Sequence, residues 1–206
     1  MNLISNNCSA AFYYKFSSTA FNHPFMWCLF TPQDIIYLIK NYESIDFGNI
    51  GLTRLDGKLF PSSNLVTRLV KEGINIIGVN IDDKVTAWYV HYLFDAHADS
   101  PKTVGVDVFC KRNFEYTYEK YISRLHRNGI SEHPTFLIVA FPHHNWTDEY
   151  ITELCSINTD KKILLMTNKN ISSKDNIYII KDSLINLDTE SLIKSHYAEI
   201  KGLLEG

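Results

Sequence analysis

The sequence predicts an α/β fold: a mostly parallel sheet flanked by helices, with an additional strand-rich lobe around residues 43–110. Three observations predict it. The last third alternates short apolar runs, "TFLIVAF" (135–141) and "KKILLMT" (161–167), with helical stretches, the pattern of strands covered on both faces. The chain opens on a short apolar strand, about residues 2–6, that runs straight into a helix at about 9–18. Between these regions, "INIIGVNI" (74–81) and "KVTAWYVHYLF" (84–94) read as paired strands with Asp82-Asp83 turning between them.

Taken in order, the first joint is rich in cap and turn formers: Ser5, Asn6, Asn7 and Ser9. "HPFMWCLF" (23–30) is a compact apolar run and is expected to be a buried strand. Thr31-Pro32-Gln33-Asp34 marks a helix start, because Thr31 can cap, Pro32 suits the first helical position and Asp34 suits the positive helix end. Ile35, Ile36, Leu38 and Ile39 then give that helix an apolar face. Residues 43–64 hold glycines, Pro61 and polar residues, which predicts loops and short strands. Val104 to Phe109 reads as a further strand. From about Lys111 to Asn128 the period becomes helical, with Phe114, Tyr118, Tyr121, Ile122 and Leu125 at steps of three and four. The strand at 135–141 is followed by a helix at 147–154 capped by Thr147 or Asn145. Strands at 161–167 and 176–181 come next, then a closing helix at about 188–204 capped by Asp188. The whole is expected to be one Rossmann-like α/β domain, residues 1–206, with lobes 1–110 and 111–206.

The totals narrow the function classes. A chain of 206 residues buries roughly 70% of its unfolded surface, so it needs neither metal nor disulfide to fold. The net charge of −3, with no basic run, gives no electrostatic case for nucleic acid. Cys8, Cys28, Cys110 and Cys155 lie far apart and form no C-x-x-C pair. No run approaches the ~20 apolar residues that cross a bilayer. With free thiols and no basic leader, the chain is expected to be cytoplasmic.

Four groups of residues could carry chemistry. The Asn6-Asn7-Cys8-Ser9 loop follows a strand and opens a helix, where free amides favour a thiolate or a bound phosphate. A helix end supplies only roughly 0.3–1 kcal/mol, less than the ~1.36 kcal/mol that moves a pKa by one unit. Cys8 therefore needs a histidine or lysine partner to act as a nucleophile; otherwise it is a small residue in a tight turn. His91, Asp95, His97 and Asp99 would share one face if their strand continued past Phe94, and could then hold a divalent metal. His91 alone could serve as a base or as a hydrogen-bonded core residue. His143 and His144 follow a strand and precede a helix, as Cys8 does, and would reach the same cleft if both strands share one parallel sheet. Tyr121, Arg124 and Arg127 fall on one side of a helix, where the arginines could grip phosphate or carboxylate or simply face solvent. Neither a glycine-rich phosphate loop nor a G-x-S-x-G elbow is present.

Several short motifs, in a shared order over roughly residues 2–181, resemble a bacterial domain-of-unknown-function family, number nineteen-nineteen, often labelled exopolysaccharide biosynthesis protein. They are Ser5-Asn6-Asn7-Cys8, Asn22-His23-Pro24-Phe25, "PQDIIYLIKN", His91-Tyr92 and the Tyr121-x-x-Arg124-x-x-Arg127 helix. Ser9-Ala10-Ala11 stands where that family has Trp-Gly-Gly-like residues. His23 stands for serine, Tyr121 for tryptophan, and His143-His144 for an acidic residue. The resemblance implies an α/β fold and a role in surface-polysaccharide synthesis.

The leading expectation is a transferase acting on a sugar or sugar-phosphate substrate with an activated donor. Cys8 would be the nucleophile or help shape an anion site, and His91 would be the base. Asn6, Asn7 and Ser9 would orient substrate, with His143 beside them and Arg124 and Arg127 as donor clamp. A non-catalytic binding or scaffold protein of the same pathway and a metal-dependent hydrolase are the alternatives. The cofactor, the transferred group and the oligomeric state are not readable from the sequence.

Overall fold

The computed structural model describes residues 2–19, 23–26, 28–55, 76–89, 115–116, 118–126, 133–184 and 188–206. It is α/β, with a four-stranded parallel sheet flanked by helices and a separate four-stranded antiparallel sheet.

The parallel sheet contains β1 (Leu3–Ser5), β6 (Thr135–Val139), β7 (Ile163–Thr167) and β8 (Ile177–Lys181), side by side in that order. Its registers run Leu3 to Thr135, Phe136 to Ile163 and Ile163 to Ile177. Strand alternation sends side chains to two faces. Ile4, Phe136, Ile138, Ile163, Leu165 and Ile177 pack on one core, while Leu3, Leu137, Val139, Leu164, Met166 and Ile180 pack on another. Both faces are covered, which explains why these strands read as unbroken apolar runs.

The first core is closed by α2 (Pro32–Asn41), by α4 (Asp148–Ser156) and by Val79, Ile81 and Val85 of the antiparallel sheet. The second is closed by α1 (Ser9–Ser17), α5 (Thr189–Ser195) and α6 (Tyr197–Glu205). Helix α2 starts as its sequence dictates: Thr31 Oγ1 accepts from Asp34 N at 3.1 Å, with Pro32 next in line. Thr147 caps α4 and Asp188 caps α5 in the same way. The closing helix is two helices, broken at His196, whose backbone φ of −101° departs from helical geometry.

The antiparallel sheet has the order β2 (Cys28–Leu29), β5 (Val85–Tyr89), β4 (Ile76–Ile81), β3 (Ile50–Leu55). Asp82 and Asp83 turn β4 into β5 with φ of 52° and 50°, a left-handed pair that aspartate tolerates. Residues 23–30 correct the sequence reading. Only Cys28–Leu29 is strand; before it the chain turns, with Met26 N donating to His23 O and Cys28 N to Phe25 O. Pro24 cannot donate to a ladder, and the apolar run is buried as a turn instead. Residues 118–126 form helix α3, whose Tyr121 is fully buried and donates its hydroxyl to Phe47 O at 3.0 Å. A division at residue 110 does not separate the two sheets, because β1 from the first part pairs with β6 from the second. The strand expected at Val104–Phe109 lies outside the described residues.

Candidate functional site

Strands β1 and β6 are neighbours and parallel, so both point their carboxyl ends the same way. Beyond β1 the chain passes to α1 on one face; beyond β6 it passes to α4 on the opposite face. That divergence marks a switch point at the strand ends, the place where open α/β sheets bind ligands.

This corner is built around Asn6. Its side chain, fully buried, continues the ladder after the β1 backbone has turned away: Nδ2 donates to Val139 O at 3.0 Å and Oδ1 accepts from Val139 N at 2.9 Å. The Asn6 carbonyl accepts from Phe30 N at 2.9 Å, which ties residues 23–30 to the same corner. Met26 packs in the α1 core while Phe25, Cys28 and Phe30 pack in the other, so this segment wraps the outer edge of β1.

The loop also caps its own helix. Asn7 Oδ1 accepts from Ser9 N at 2.9 Å and from Ser9 Oγ, and Ser5 Oγ accepts from Ala10 N at 3.0 Å. Two amides that the sequence reading offers to an anion are therefore already paired. Cys8 is the capping residue by position, but its side chain makes no cap bond. Burial pushes its thiol up to about 12, so at neutral pH it is a thiol and not a thiolate.

Across the corner, the sequence-selected Arg124 is 7% exposed and donates Nη1 to Met26 O at 3.1 Å. It is a buried cation and does not lie on a solvated helix face. His23, fully buried, was singled out only as a departure from the resembling family. Its Nδ1 accepts from Phe25 N at 3.2 Å. Burial, and then the nearby Arg124 charge, hold it down to about 3, so the ring is neutral. A neutral imidazole that accepts at Nδ1 carries its proton at Nε2.

On the β6 side, Pro142–His144 makes a single 3-10 turn that ends at Asn145 with φ of 63°. His143 is exposed, with its ring 4.9 Å from Phe141 and 4.4 Å from His144. His144 is the more buried of the two, and burial lowers it to about 4. The turn therefore sits at the carboxyl end of the strand beside β1, as the sequence reading requires for a shared cleft.

Four buried side-chain nitrogens at this edge have no hydrogen-bond partner: Asn7 Nδ2, His23 Nε2, His144 Nδ1 and Trp146 Nε1. Neither His23 nor Trp146 was selected from the sequence as a site residue. A histidine heading an apolar run and a tryptophan in a polar loop give no signal of lacking a partner. His91, Asp95, His97, Asp99 and Arg127 lie outside the described residues. Among the described residues, no group of three metal-binding side chains converges.

No protein-family model matches the chain, and no curated protein sequence matches it. Among the described residues, no helix is long and apolar enough to cross a membrane.

Proposed function

We propose that this protein is a transferase of surface-polysaccharide synthesis that binds its sugar or sugar-phosphate substrate in a crevice between β1 and β6. The observation that carries this reading is the corner itself. Asn6 is spent on Val139, and the turn it anchors holds Asn7, Cys8 and Ser9 at the carboxyl end of β1, beside β6. The link to polysaccharide comes from the resemblance carried by Ser5-Asn6-Asn7-Cys8 and the accompanying motifs. The group transferred remains open between acyl, glycosyl and phosphoryl.

In such a transfer the acceptor hydroxyl oxygen bonds to the transferred group. The bond to the leaving oxygen breaks with its electron pair on that oxygen, and the acceptor proton goes to a base. N–H donors fixed beside the leaving oxygen stabilise the charge it gains. In this reading Cys8 acts as a neutral thiol shaping the site, and His91 is the expected base. The raised Cys8 thiol also favours a second reading, a binding protein of the same pathway, since no activated nucleophile is needed for binding.

Cys8→Ala and Asn7→Asp test both. Each variant should fold, and each should abolish modification of the polymer in cells that make it. Purified wild-type protein that transfers a labelled group from an activated sugar donor supports the enzyme. Unchanged polymer from both variants removes the loop from the function.

A further inference from the structure

Three of the four unpaired nitrogens at the carboxyl edge share one chemical character. Asn7 Nδ2 can only donate, because its Oδ1 is fixed by the Ser9 amide. Trp146 Nε1 can only donate. His23 Nε2 donates by virtue of the tautomer set by Phe25 N. Asn7 is 3% exposed, His23 0% and Trp146 5%, so these donors are sealed from bulk water. A buried donor left unpaired is costly and rare in folded proteins. Three such donors, with no unpaired buried oxygen at this edge among the described residues, suit a guest that brings acceptors; His144 Nδ1, the fourth unpaired nitrogen, accepts or donates according to its tautomer. A buried guanidinium stands in the same corner: Arg124 lies close enough to His23 to oppose its protonation and is anchored on Met26 O.

We propose that the corner between the Asn6-Asn7 turn and the His23–Met26 turn is an oxyanion receptor. It would take a phosphate or carboxylate of the ligand on Asn7 Nδ2 and His23 Nε2, with Arg124 supplying the positive charge. Trp146 Nε1 is a further unpaired donor, on the β6 side. This rests on the crevice reading for its location and names the ligand class the crevice takes: an anionic sugar derivative, not a neutral sugar. The donor geometry is preset by the fold. Asn7 is held by Ser9, His23 by Phe25, and the two turns are joined through Phe30 N and Asn6 O. Such preorganised donors need little rearrangement when the anion arrives.

Two substitutions keep the local hydrogen bonds while removing the donors. Asn7→Asp retains an oxygen for the Ser9 amide and replaces Nδ2 with a second acceptor. His23→Asp retains an acceptor for Phe25 N and gives Arg124 an internal carboxylate that competes with any external anion. The probes are inorganic phosphate, acetate, glucose 1-phosphate and glucose, titrated calorimetrically into the full chain at pH 7. Thermal melts of each variant separate lost binding from lost fold.

The proposal expects glucose 1-phosphate to bind and glucose not to. Phosphate binding above acetate points to a phosphoryl group, and the reverse order to a carboxylate. Each folded variant should weaken binding about ten- to hundredfold, as losing a hydrogen bond to a charged group does. Wild-type protein that binds neither phosphate, acetate nor glucose 1-phosphate overturns the proposal, with water alone filling the corner. Full affinity in both folded variants overturns it too. If anions bind but polymer modification survives both Asn7→Asp and Cys8→Ala, the transferase reading fails and the receptor stands. If the variants abolish modification but no anion binds, the receptor fails and the crevice stands.

Discussion

At the amino end of the parallel sheet, Lys161 is only 6% exposed, yet its ammonium reaches Glu43 at 2.9 Å and Asp160 at 3.3 Å. Asn176 there donates to Thr159 O at 3.0 Å. A surface pocket of about 310 Å³ lies between these groups, lined by Tyr42, Glu43, Asp160 and Lys161 among others. At the carboxyl end, by contrast, Asn7, His23 and Trp146 are buried with nitrogens unpaired. The sheet thus solves the same problem twice. At one end the protein supplies the partners for its buried charge, although the buried Tyr42 hydroxyl beside it is unpaired. At the other end partners are left for something else to supply.

The largest expected effect belongs to Asn6, which makes the carboxyl-end corner possible. Asn6→Ala strands the N–H of Val139 in the core and leaves its C=O with Phe141 N alone. It should cost roughly 1–3 kcal/mol in urea denaturation, the penalty of one stranded buried group. Stability near that of wild type would mean the corner is not held by this side chain. Cys8 comes next. With its thiol pushed up to about 12, alkylation by iodoacetamide at pH 7 should run more than about tenfold slower than in the urea-unfolded chain. Faster labelling than in the unfolded chain would restore it as an activated nucleophile.

A third test uses a carboxyl-end group that does have its own partners. After β8, His196 Nε2 meets Asp182 Oδ2 at 2.9 Å and its Nδ1 meets Glu199 Oε2 at 3.0 Å. Burial opposes charge on His196, but the two carboxylates outweigh it and the histidine titrates above its ordinary value. Burial also opposes charge on Asp182; the hydrogen bonds from His196 and Leu184 N outweigh it, so this carboxyl titrates below the usual range. The histidine's contribution is complete below ~6.5 and is lost as pH rises through its raised value. The aspartate's contribution is present above ~3.9 and is lost as pH falls through its lowered value. Stability should peak between those limits. His196→Gln should flatten the decline above pH ~6.5, an effect of about 1 kcal/mol for so partly exposed a cluster. The smallest effect is at the amino end. Lys161→Met keeps the buried stem and removes a charge whose partners are largely exposed, so it should cost at most about 1 kcal/mol and leave anion binding unchanged.

The local grammar of the chain was legible. Thr31-Pro32-Gln33-Asp34 starts a helix as its residue types require, and the strands after residue 134 fall where the apolar runs stand. The hairpin turn at Asp82-Asp83 was equally plain. What failed was the apolar run at 23–30, because apolarity marks burial and does not distinguish a strand from a packed turn. The Asn6-Asn7 loop could be singled out, but not its bonds to Val139, which lies 133 residues away in sequence. Arg124 looked like a surface clamp because helical spacing fixes a side and not the depth of burial. The unpaired donors on His23 and Trp146 are properties of three-dimensional packing, and no local pattern encodes them.

The most direct test of the comparison is a nitrogen-15 NMR titration of the full chain with glucose 1-phosphate. It follows the side-chain signals of Asn7, His23 and Trp146 at one end and of Asn41, Asn158 and Asn176 at the other. The account predicts saturable shifts at Asn7, His23 and Trp146, with the amino-end amides unmoved. Shifts centred on the amino-end asparagines, or none at the carboxyl end at saturating ligand, would contradict it.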